Sequence, residues 1–451
     1  MSYFSSKLLH TFDGMLKDAD RLKNELHFVT REGSDFSRKA RKLSFEDTIR
    51  CFLSMSGKPI REELLDFFDY GKHTPTASAF VQARPKITPY ASHFLFDEIN
   101  KSFPSSLTHK GYRLIPIDKN DMDTLYTSGS KGKHLSSYHI NASYDILNHR
   151  YVDMIIQGIY SLNEMEAMWT MASRFHENKT IFIADRNYAT WNNTAYIMNS
   201  DRYFLIRSKD IHSHTGILKK FNFPDEEFDE DICITLTTKQ TKEIRMHPES
   251  YRLLSTTSTF DFLEELYPYF TMRFRVVRFK LGNREGYESI ATNLDRERFC
   301  TADIKELYHQ QWGIEISFRH LKYSANLCAI HAKKRLNIQQ EIWARMILYN
   351  MSFILIMHVE NEKINNKDRK TEYKYAINIT RRFIIAVIIY DGVKEKAGFR
   401  LILKPPFQMK YCRFAPIASF VEMCVHNLLC ALTIAFHKSN FIITLFKKRC
   451  L

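Results

Sequence analysis

The sequence predicts an α/β fold in which a mixed sheet is split by a β-rich insertion and flanked by helical regions at both ends. Three observations support this prediction. Residues 105–210 alternate short apolar runs with amphipathic segments, residues 211–300 hold further strand-like runs, and the two ends show apolar residues at helical spacing. With 451 residues and 44% hydrophobic content, the chain can bury a sizeable core in more than one domain.

Residues 1–104 are predicted to form a helical region, for which a DNA-binding role rests mainly on a family resemblance given below. Apolar residues recur at helical spacing up to a predicted stop at Gly71. Thr74 and Pro75 then predict the N-cap and first position of a second helix, which runs to Arg84. Two short helices joined by a tight turn resemble a helix-turn-helix, and polar residues of the second helix, Arg84 among them, could meet base edges or phosphates. The alternative is an ordinary helical hairpin.

Residues 105–210 follow the order β-β-β-α-β-α, which is the ribonuclease H-like pattern, and a further strand ends the segment. The predicted strands are 113–117, 137–145, 151–157, 180–184 and 203–208, and the predicted helices are 161–175 and 191–199. Residues 211–300 break this order with strand-like runs at 232–238, 271–281 and 287–294. We assign this stretch to a β-rich insertion.

The rest of the chain is predicted to be helical. In residues 301–360, Thr301 caps a helix that continues past Lys322, and a buried helix follows at 338–359. Residues 361–451 form a basic helical region. Within it we expect a polar linker at 361–375, an apolar helix at 381–390, and a tail beyond about 415 to which we assign no role.

Two aspartates follow predicted buried strands. Asp118 comes after the apolar run 113–117, and Asp185 comes after the run 180–184. An acid in this position lies at the carboxyl edge of the sheet, where open α/β sheets keep their sites. A single aspartate of this kind more often starts a loop or caps a helix.

Further along, Tyr308, Glu315 and Lys322 are spaced seven residues apart. On one helix these three side chains would share a face, because seven residues make about two turns. The alternative is a solvated helix face on which Glu315 pairs with Arg319.

Three carboxylates brought together would repel each other unless cations lay between them. Asp118, Asp185 and Glu315 therefore predict a site for two Mg²⁺ or Mn²⁺ ions, which in such sites lie about 3.5–4 Å apart and act on phosphodiesters.

The order Asp118, Asp185, Glu315 resembles the DDE triad of bacterial insertion-sequence transposases of the IS-four type, whose ribonuclease H-like domain is split by a β-rich insertion. That group carries the signature Tyr-x2-Arg-x3-Glu-x6-Lys, and this chain has Tyr308, Gln311, Glu315 and Lys322 at the same spacing. Four further blocks resemble the family: 117–121, 139–145, 148–153 and 183–188. The similarity runs from about residue 20 to about 415.

The resemblance implies a DNA transposase that cleaves at the ends of its element and transfers the strand into target DNA. Asp118, Asp185 and Glu315 would be catalytic and would hold two Mg²⁺ or Mn²⁺ ions. One ion would activate water and then the new 3′-hydroxyl, and the other would stabilise the departing oxygen. A homodimer would bind the terminal inverted repeats and the target DNA. The residues implied in DNA binding are Arg186, Tyr308, Gln311, Trp312, Arg319, Lys322, Lys333, Lys334 and Arg335.

The chain departs from the family pattern at three positions. Lys119 replaces a small residue beside the first acid, Gln311 replaces an arginine expected to hold DNA phosphate, and Asn187 replaces a glycine. These departures motivate a second hypothesis, a decayed relative that binds DNA without cleaving it. A third hypothesis is a ribonuclease H-fold nuclease without strand transfer. For Trp312 we favour core packing over stacking on an extruded base.

The excess positive charge lies in the last third of the chain. Residues 301–451 hold 24 Lys and Arg against 11 Asp and Glu, whereas the other 300 residues hold 41 against 40, and the net charge is +14. The basic residues of this part of the chain could neutralise the phosphate charges of a bound DNA backbone. The alternative is a solvated basic tail, as at residues 447–449.

Composition predicts a cytoplasmic protein. The eight cysteines include no C-x-x-C pair and indicate reduced thiols. The first residues contain no apolar stretch suited to a signal peptide. The most apolar runs, 346–359 and 428–436, are too short to span a bilayer, so we expect no membrane segment.

Overall fold

A computed structural model gives the fold of most of the chain. It describes residues 3–37, 42–127, 133–158, 163–177, 179–219, 221–255, 259–281, 286–330, 332–362 and 373–397. The predicted tail beyond about 415 lies outside the described residues.

Helices and strands follow each other in an order close to the predicted one. The helices are α1 (Tyr3–Arg21), α2 (Phe45–Ser54), α3 (Ile60–Phe67), α4 (Ala77–Ala83), α5 (Pro89–Ser102), α6 (Glu164–Arg174), α7 (Trp191–Asn199), α8 (Lys242–Met246), α9 (Thr301–His309), α10 (Trp312–Tyr323), α11 (Arg335–Glu362) and α12 (Tyr373–Ala397). The strands are β1 (Arg113–Thr127), β2 (Lys133–Asp145), β3 (Arg150–Gly158), β4 (Thr180–Ala184), β5 (Tyr203–Ser208), β6 (Phe228–Thr237), β7 (Tyr251–Leu253), β8 (Tyr269–Lys280) and β9 (Tyr287–Thr292).

These elements belong to two compact units. The sheet unit is Ser105–Phe318, and the helical unit combines the residues up to Pro104 with those from Arg319 onward. The boundary at 318/319 falls inside α10. The five segments predicted from the sequence, in which 105–210 and 301–360 are two parts of one ribonuclease H-like domain, stay predictions.

The nine strands that the structure describes in the sheet unit join in one sheet, in the order β3-β2-β1-β4-β5-β9-β8-β6-β7. β1, β2 and β3 are antiparallel neighbours, while β4 and β5 run parallel to β1. This is the ribonuclease H-like arrangement predicted from the sequence. The insertion strands extend the same sheet, because β9 pairs antiparallel with β5 and the others follow.

The first two strands are longer than predicted. β1 continues to Thr127 because its pairing with β2 extends unbroken from Ile117 opposite Ser143 to Thr127 opposite Lys133. Asp118 was predicted to follow a strand, and it lies inside one. Its parallel neighbour β4 nevertheless ends at that level, since the pairing of β1 with β4 stops at Ile117 and Ala184.

Side chains of the central strands pack on both faces of the sheet. β4 is buried along its whole length. Ile181 and Ile183 join a core cluster with Leu307 of α9, while Phe182 and Ala184 join a second cluster with residues of α6 and α7. A strand covered on both faces explains the continuous apolar run from which it was predicted.

The predicted signature helix is two helices. α9 ends at His309 and α10 begins at Trp312. Between them the backbone tightens, because the Gln311 N–H donates to Tyr308 O at 3.0 Å and the Gly313 N–H to Gln310 O at 2.9 Å. Tyr308 therefore does not share a helix face with Glu315, as the seven-residue spacing had suggested. The predicted cap is also wrong by one residue, since Cys300 is the N-cap of α9.

In the helical unit, α11 confirms the buried helix predicted at 338–359. By length and composition its apolar part could cross a membrane, but 89% of that stretch is buried inside the protein. A helix that is apolar on all sides and enclosed by other helices is a core helix of a large domain.

The two short helices predicted around the turn at Gly71 are present as α3 and α4, with two corrections. α4 begins after Thr76, whose hydroxyl accepts a hydrogen bond from the Ala79 N–H at 3.2 Å, so Thr74 is not its N-cap. Arg84 was predicted to be available to DNA, but it is buried. Its guanidinium forms an ion pair with Glu341 at 2.7 Å and donates to Gln340 Oε1 at 2.9 Å.

Candidate active site

Strand register brings Asp118 and Asp185 side by side. Ile117 of β1 pairs with Ala184 of β4, and the two aspartates are the next residues on these parallel strands. Alternation along a strand sends every second side chain to the same face. Asp185 thus shares the face of Ile183, which α9 covers, and Asp118 shares the same face of β1.

Glu315 lies on the wall of the same cavity as the two aspartates. The cavity has a volume of about 770 Å³. Glu315 occupies the first turn of α10 and is exposed to solvent. The other lining residues are Arg207, Phe279, Lys280, Leu281, Glu288, Lys305, Tyr308, His309, Gln311 and Trp312.

Burial and neighbouring acids raise the pKa of the Asp118 carboxyl. Burial raises the pKa of its carboxyl to about 6, and the charges of Glu315 and Asp185 add to this effect. A hydrogen bond from the Lys119 N–H to Asp118 Oδ1, at 2.8 Å, acts in the opposite direction. Asp118 therefore favours any positive charge that enters the cavity.

Asp185 offers an oxygen that the protein leaves without a hydrogen bond. Its Oδ1 is buried, and among the residues that the structure describes no donor lies within hydrogen-bond distance of it. Arg207 Nη1 is 3.6 Å away, which is an ion pair but too long for a hydrogen bond. Buried polar atoms normally have partners, so this oxygen is suited to a ligand that the protein itself does not provide.

The donor chemistry of this cavity fits divalent cations. Hard ions such as Mg²⁺ and Mn²⁺ prefer carboxylate oxygens, which Asp118, Asp185 and Glu315 all supply. Among the residues that the structure describes, no three His, Cys, Asp or Glu side chains converge closely enough to form a complete metal-binding group. Asp118 and Asp185 are the residues best placed to hold an ion, with Glu315 on the cavity wall.

Arg207 is a cavity residue that sequence reasoning missed. It projects from β5 and lies 3.6 Å from both Asp185 Oδ1 and Glu288 Oε1. Its guanidinium is also close enough to the Tyr308 hydroxyl for the two groups to interact electrostatically. A cation in an otherwise apolar buried strand was the available signal, since such a charge needs partners inside the fold.

Tyr308, Gln311 and Trp312 all line the cavity, with different exposures. Tyr308 belongs to the core and is only 7% exposed, and this burial raises the pKa of its hydroxyl. Gln311 is buried as well. Trp312 is 62% exposed, so the favoured interpretation of core packing is wrong.

The remaining predicted DNA-binding residues lie in three places. Arg186 is exposed directly after Asp185, in a short 3-10 turn. Lys333, Lys334 and Arg335 are exposed in the helical unit, the last of them at the start of α11. On α10, Arg319 is exposed and Lys322 is half-buried.

Comparison with solved structures and with curated proteins adds little. A cryo-EM structure of a piggyBac transposase synaptic complex with hairpin DNA is similar over 94% of this chain and 84% of that chain, at 8% sequence identity and a TM-score of 0.42. A likeness of this degree supports no inference. No curated protein matches the chain.

The family comparison is decisive. Residues 109–351 match the family described as "Transposase DDE domain". The match covers more than half of the chain and includes Asp118, Asp185 and Glu315. The protein therefore belongs to the family of transposases with a DDE domain.

Proposed function

We propose that this protein cleaves DNA at the ends of its own element and joins the freed strand to target DNA, with Asp118, Asp185 and Glu315 as the catalytic residues. The observation that carries the proposal is the register of β1 and β4, which places two aspartates at one level of the sheet. Both open into the cavity that Glu315 lines. The resemblance to the IS-four type supports the same assignment.

The three carboxylates would hold two Mg²⁺ or Mn²⁺ ions. Such ions supply Lewis acidity towards the oxygens of a phosphodiester. The contribution of the chain is to arrange the carboxylates: β1 and β4 fix Asp118 and Asp185, while α10 carries Glu315. The rigid sheet holds the two aspartates within the small tolerance that such chemistry requires.

Cations and an aromatic ring on the same walls would position the DNA. Arg207 offers a forked guanidinium for a phosphate, and Lys305 adds a second positive charge. Tyr308 lines the cavity beside Arg207. Trp312 exposes a ring on which a base can stack. Gln311, at the position of the family arginine, would donate to a phosphate without a charge.

Residues elsewhere would extend the DNA contact. Arg186, Arg319 and Lys322, with the exposed group Lys333, Lys334 and Arg335, supply positive charge for the backbone. The proposed partners are the terminal inverted repeats and target DNA, bound by a homodimer in the cytoplasm.

The test is cleavage of DNA that carries the gene's own flanking ends, with Mg²⁺ or Mn²⁺. We expect cuts at the element boundary with the wild-type protein and none with Glu315→Ala. Glu306→Ala is the matched control, because Glu306 is an exposed acid on the neighbouring helix α9 and does not line the cavity.

Other outcomes separate the alternatives. Binding to the ends without cuts, in wild type and variant alike, would indicate a decayed relative that only binds DNA. Cuts without preference for the element ends, and without strand transfer, would indicate a nuclease of the same fold.

A further inference from the structure

Lys119 lies beside Asp118 in the chain but on the other face of the sheet. Successive side chains of a strand point to opposite faces. Ile117 packs in the cluster with α6 and α7, so Lys119, two residues on, shares that side, while Asp118 faces α9. On the α6 side, the Lys119 ammonium forms an ion pair with the Glu164 carboxylate.

Glu164 is well placed to hold this ammonium. It is the first residue of α6, where a negative charge is favoured by the helix dipole. Its side chain is only 15% exposed and that of Lys119 31%, so the pair is shielded from solvent more than a surface ion pair would be. Glu164 is also close enough to Asp118 for its charge to act on that carboxyl.

Each member of the pair would disturb the acidic cavity if it stood alone. Even from the other face of the sheet, the charge of Lys119 acts on the Asp118 carboxylate. Without Glu164, that positive charge would weaken the attraction of Asp118 for a divalent cation. A free Glu164 carboxylate would add a further negative charge near Asp118. Together the two charges cancel.

We infer that Lys119 and Glu164 act as a positioning pair, in which Glu164 holds the Lys119 ammonium so that its charge does not compete with a divalent cation for Asp118. The inference rests on the proposed function, since it concerns the same cavity. Glu164 is then a positioning residue. Its ion pair explains how Lys119 can follow Asp118 in the chain without preventing a cation from binding.

The test is equilibrium binding of Mn²⁺ to the full-length protein without DNA, measured by calorimetry. Glu164→Gln frees the ammonium and should weaken binding by about tenfold, the size of coupling that charges in contact show in double-mutant cycles. Lys119→Gln should leave binding unchanged or strengthen it. The double variant should return close to the wild-type affinity. Glu166→Gln is the matched control, because it removes the same charge from the same helical turn, and no ion pair with Lys119 is lost.

A merely structural pair would behave differently. In that case both single variants would lower the unfolding temperature, and neither would change Mn²⁺ affinity in the folded protein. The inference is overturned if Glu164→Gln binds Mn²⁺ as Glu166→Gln does, if the double variant is the weakest of the set, or if the wild-type protein binds no Mn²⁺.

Cleavage assays on the same variants keep the two proposals apart. Element-end cleavage that depends on Glu315, with normal Mn²⁺ binding by Glu164→Gln, would remove the pair and leave the proposed function standing. Mn²⁺ affinities that shift as expected, in a protein that never cleaves, would remove the function and keep the pair.

Discussion

Asp118 is the residue whose charge state the fold controls most visibly. Its pKa of about 6 lies above the ordinary value of 3.8, so the folded protein holds the proton more tightly than the unfolded chain. Between pH of about 4 and 6 the folded state therefore binds more protons, and the free energy of unfolding falls as the pH rises through that window. Above about pH 6 Asp118 is ionised in the folded protein, and the full cost of burying its charge lowers the free energy of unfolding.

Replacing this carboxyl with an amide should stabilise the metal-free protein. Asp118→Asn keeps an oxygen for the Lys119 N–H but cannot ionise. We expect no difference from wild type near pH 4 and a gain of about 2 kcal/mol above pH 6, allowing for partial exposure. Urea unfolding at several pH values in the presence of a chelator measures this. Glu306→Gln, at an exposed acid, should show no such trend, and an Asp118→Asn protein less stable than wild type at pH 7 would contradict the argument.

Arg207 should matter for DNA chemistry more than its place in a buried strand suggests. Arg207→Gln removes the charge near Asp185 and Tyr308, and we expect cleavage to fall by about 100-fold, as for loss of one preorganised donor in other enzymes. Arg207→Lys should recover part of the rate, because it restores charge without the forked geometry. Arg273→Gln, at an exposed arginine of β8, is the control in the cleavage assay. Equal rates for the two glutamine variants would exclude Arg207 from the site.

At the scale of elements, the local sequence pattern was enough to predict the bounds of a helix or strand where most of its residues are buried. β4, α7 and β5 have the bounds predicted for them, because each apolar run ends at polar residues that the fold leaves at an edge. The break between α9 and α10 could not be predicted in this way. No proline marks it, and the close contact beside it involves Ile146, far away in the chain.

The same limit applies to the candidate site. Asp118 and Asp185 could be predicted, since each follows its own apolar run. Arg207 reaches the cavity only because β5 pairs with β4 and because Tyr308 of α9 lies close to it. Both neighbours are distant from Arg207 in sequence. The burial of Arg84 could not be predicted for a similar reason, because its ion-pair partner Glu341 is distant in sequence.

Gly313 sets how closely the first turn of α10 approaches Ile146. A Cβ at this position would lie 2.3 Å from Ile146 Cδ1 and 2.8 Å from its Cγ1. We expect Gly313→Ala to destabilise the protein by about 1–3 kcal/mol and to slow cleavage, because the displaced α10 carries Glu315. Adding Ile146→Val removes one of the two crowded atoms and should restore part of the stability in denaturant unfolding. A Gly313→Ala protein as stable and active as wild type would show that Ile146 gives way freely.

At the scale of the molecule, the helical unit is built from two distant stretches of chain. A buried polar network joins them. Besides its bonds to Glu341 and Gln340, Arg84 Nη2 donates to Asn337 O at 2.7 Å, and Gln340 Nε2 donates to Ile87 O at 2.7 Å. Such a network is stable only while every charge keeps its partner.

Removing one charge of this network should unfold the helical unit more easily. Glu341→Ala leaves Arg84 buried without a counter-charge, and we expect a loss of about 3–5 kcal/mol. Arg84→Met combined with Glu341→Leu removes both charges and should lie closer to wild type. Hydrogen exchange in α4 and α11 reports the effect directly. If the double variant exchanged faster than Glu341→Ala, the penalty would come from packing and not from an unpaired charge.

The split helical unit has a consequence for the order of events during synthesis. Helices α1 to α5 leave the ribosome first, but Gln340 and Glu341, which satisfy Arg84, follow only after the whole of Ser105–Phe318 has been translated. At ordinary elongation rates that delay is roughly ten seconds to a minute. During that interval the faces of α2 and α5 that pack on α11 stay uncovered, whereas the strands of the sheet unit emerge one after another and can pair as they appear. A chaperone that shields these helices until α11 emerges would meet its substrate in that interval.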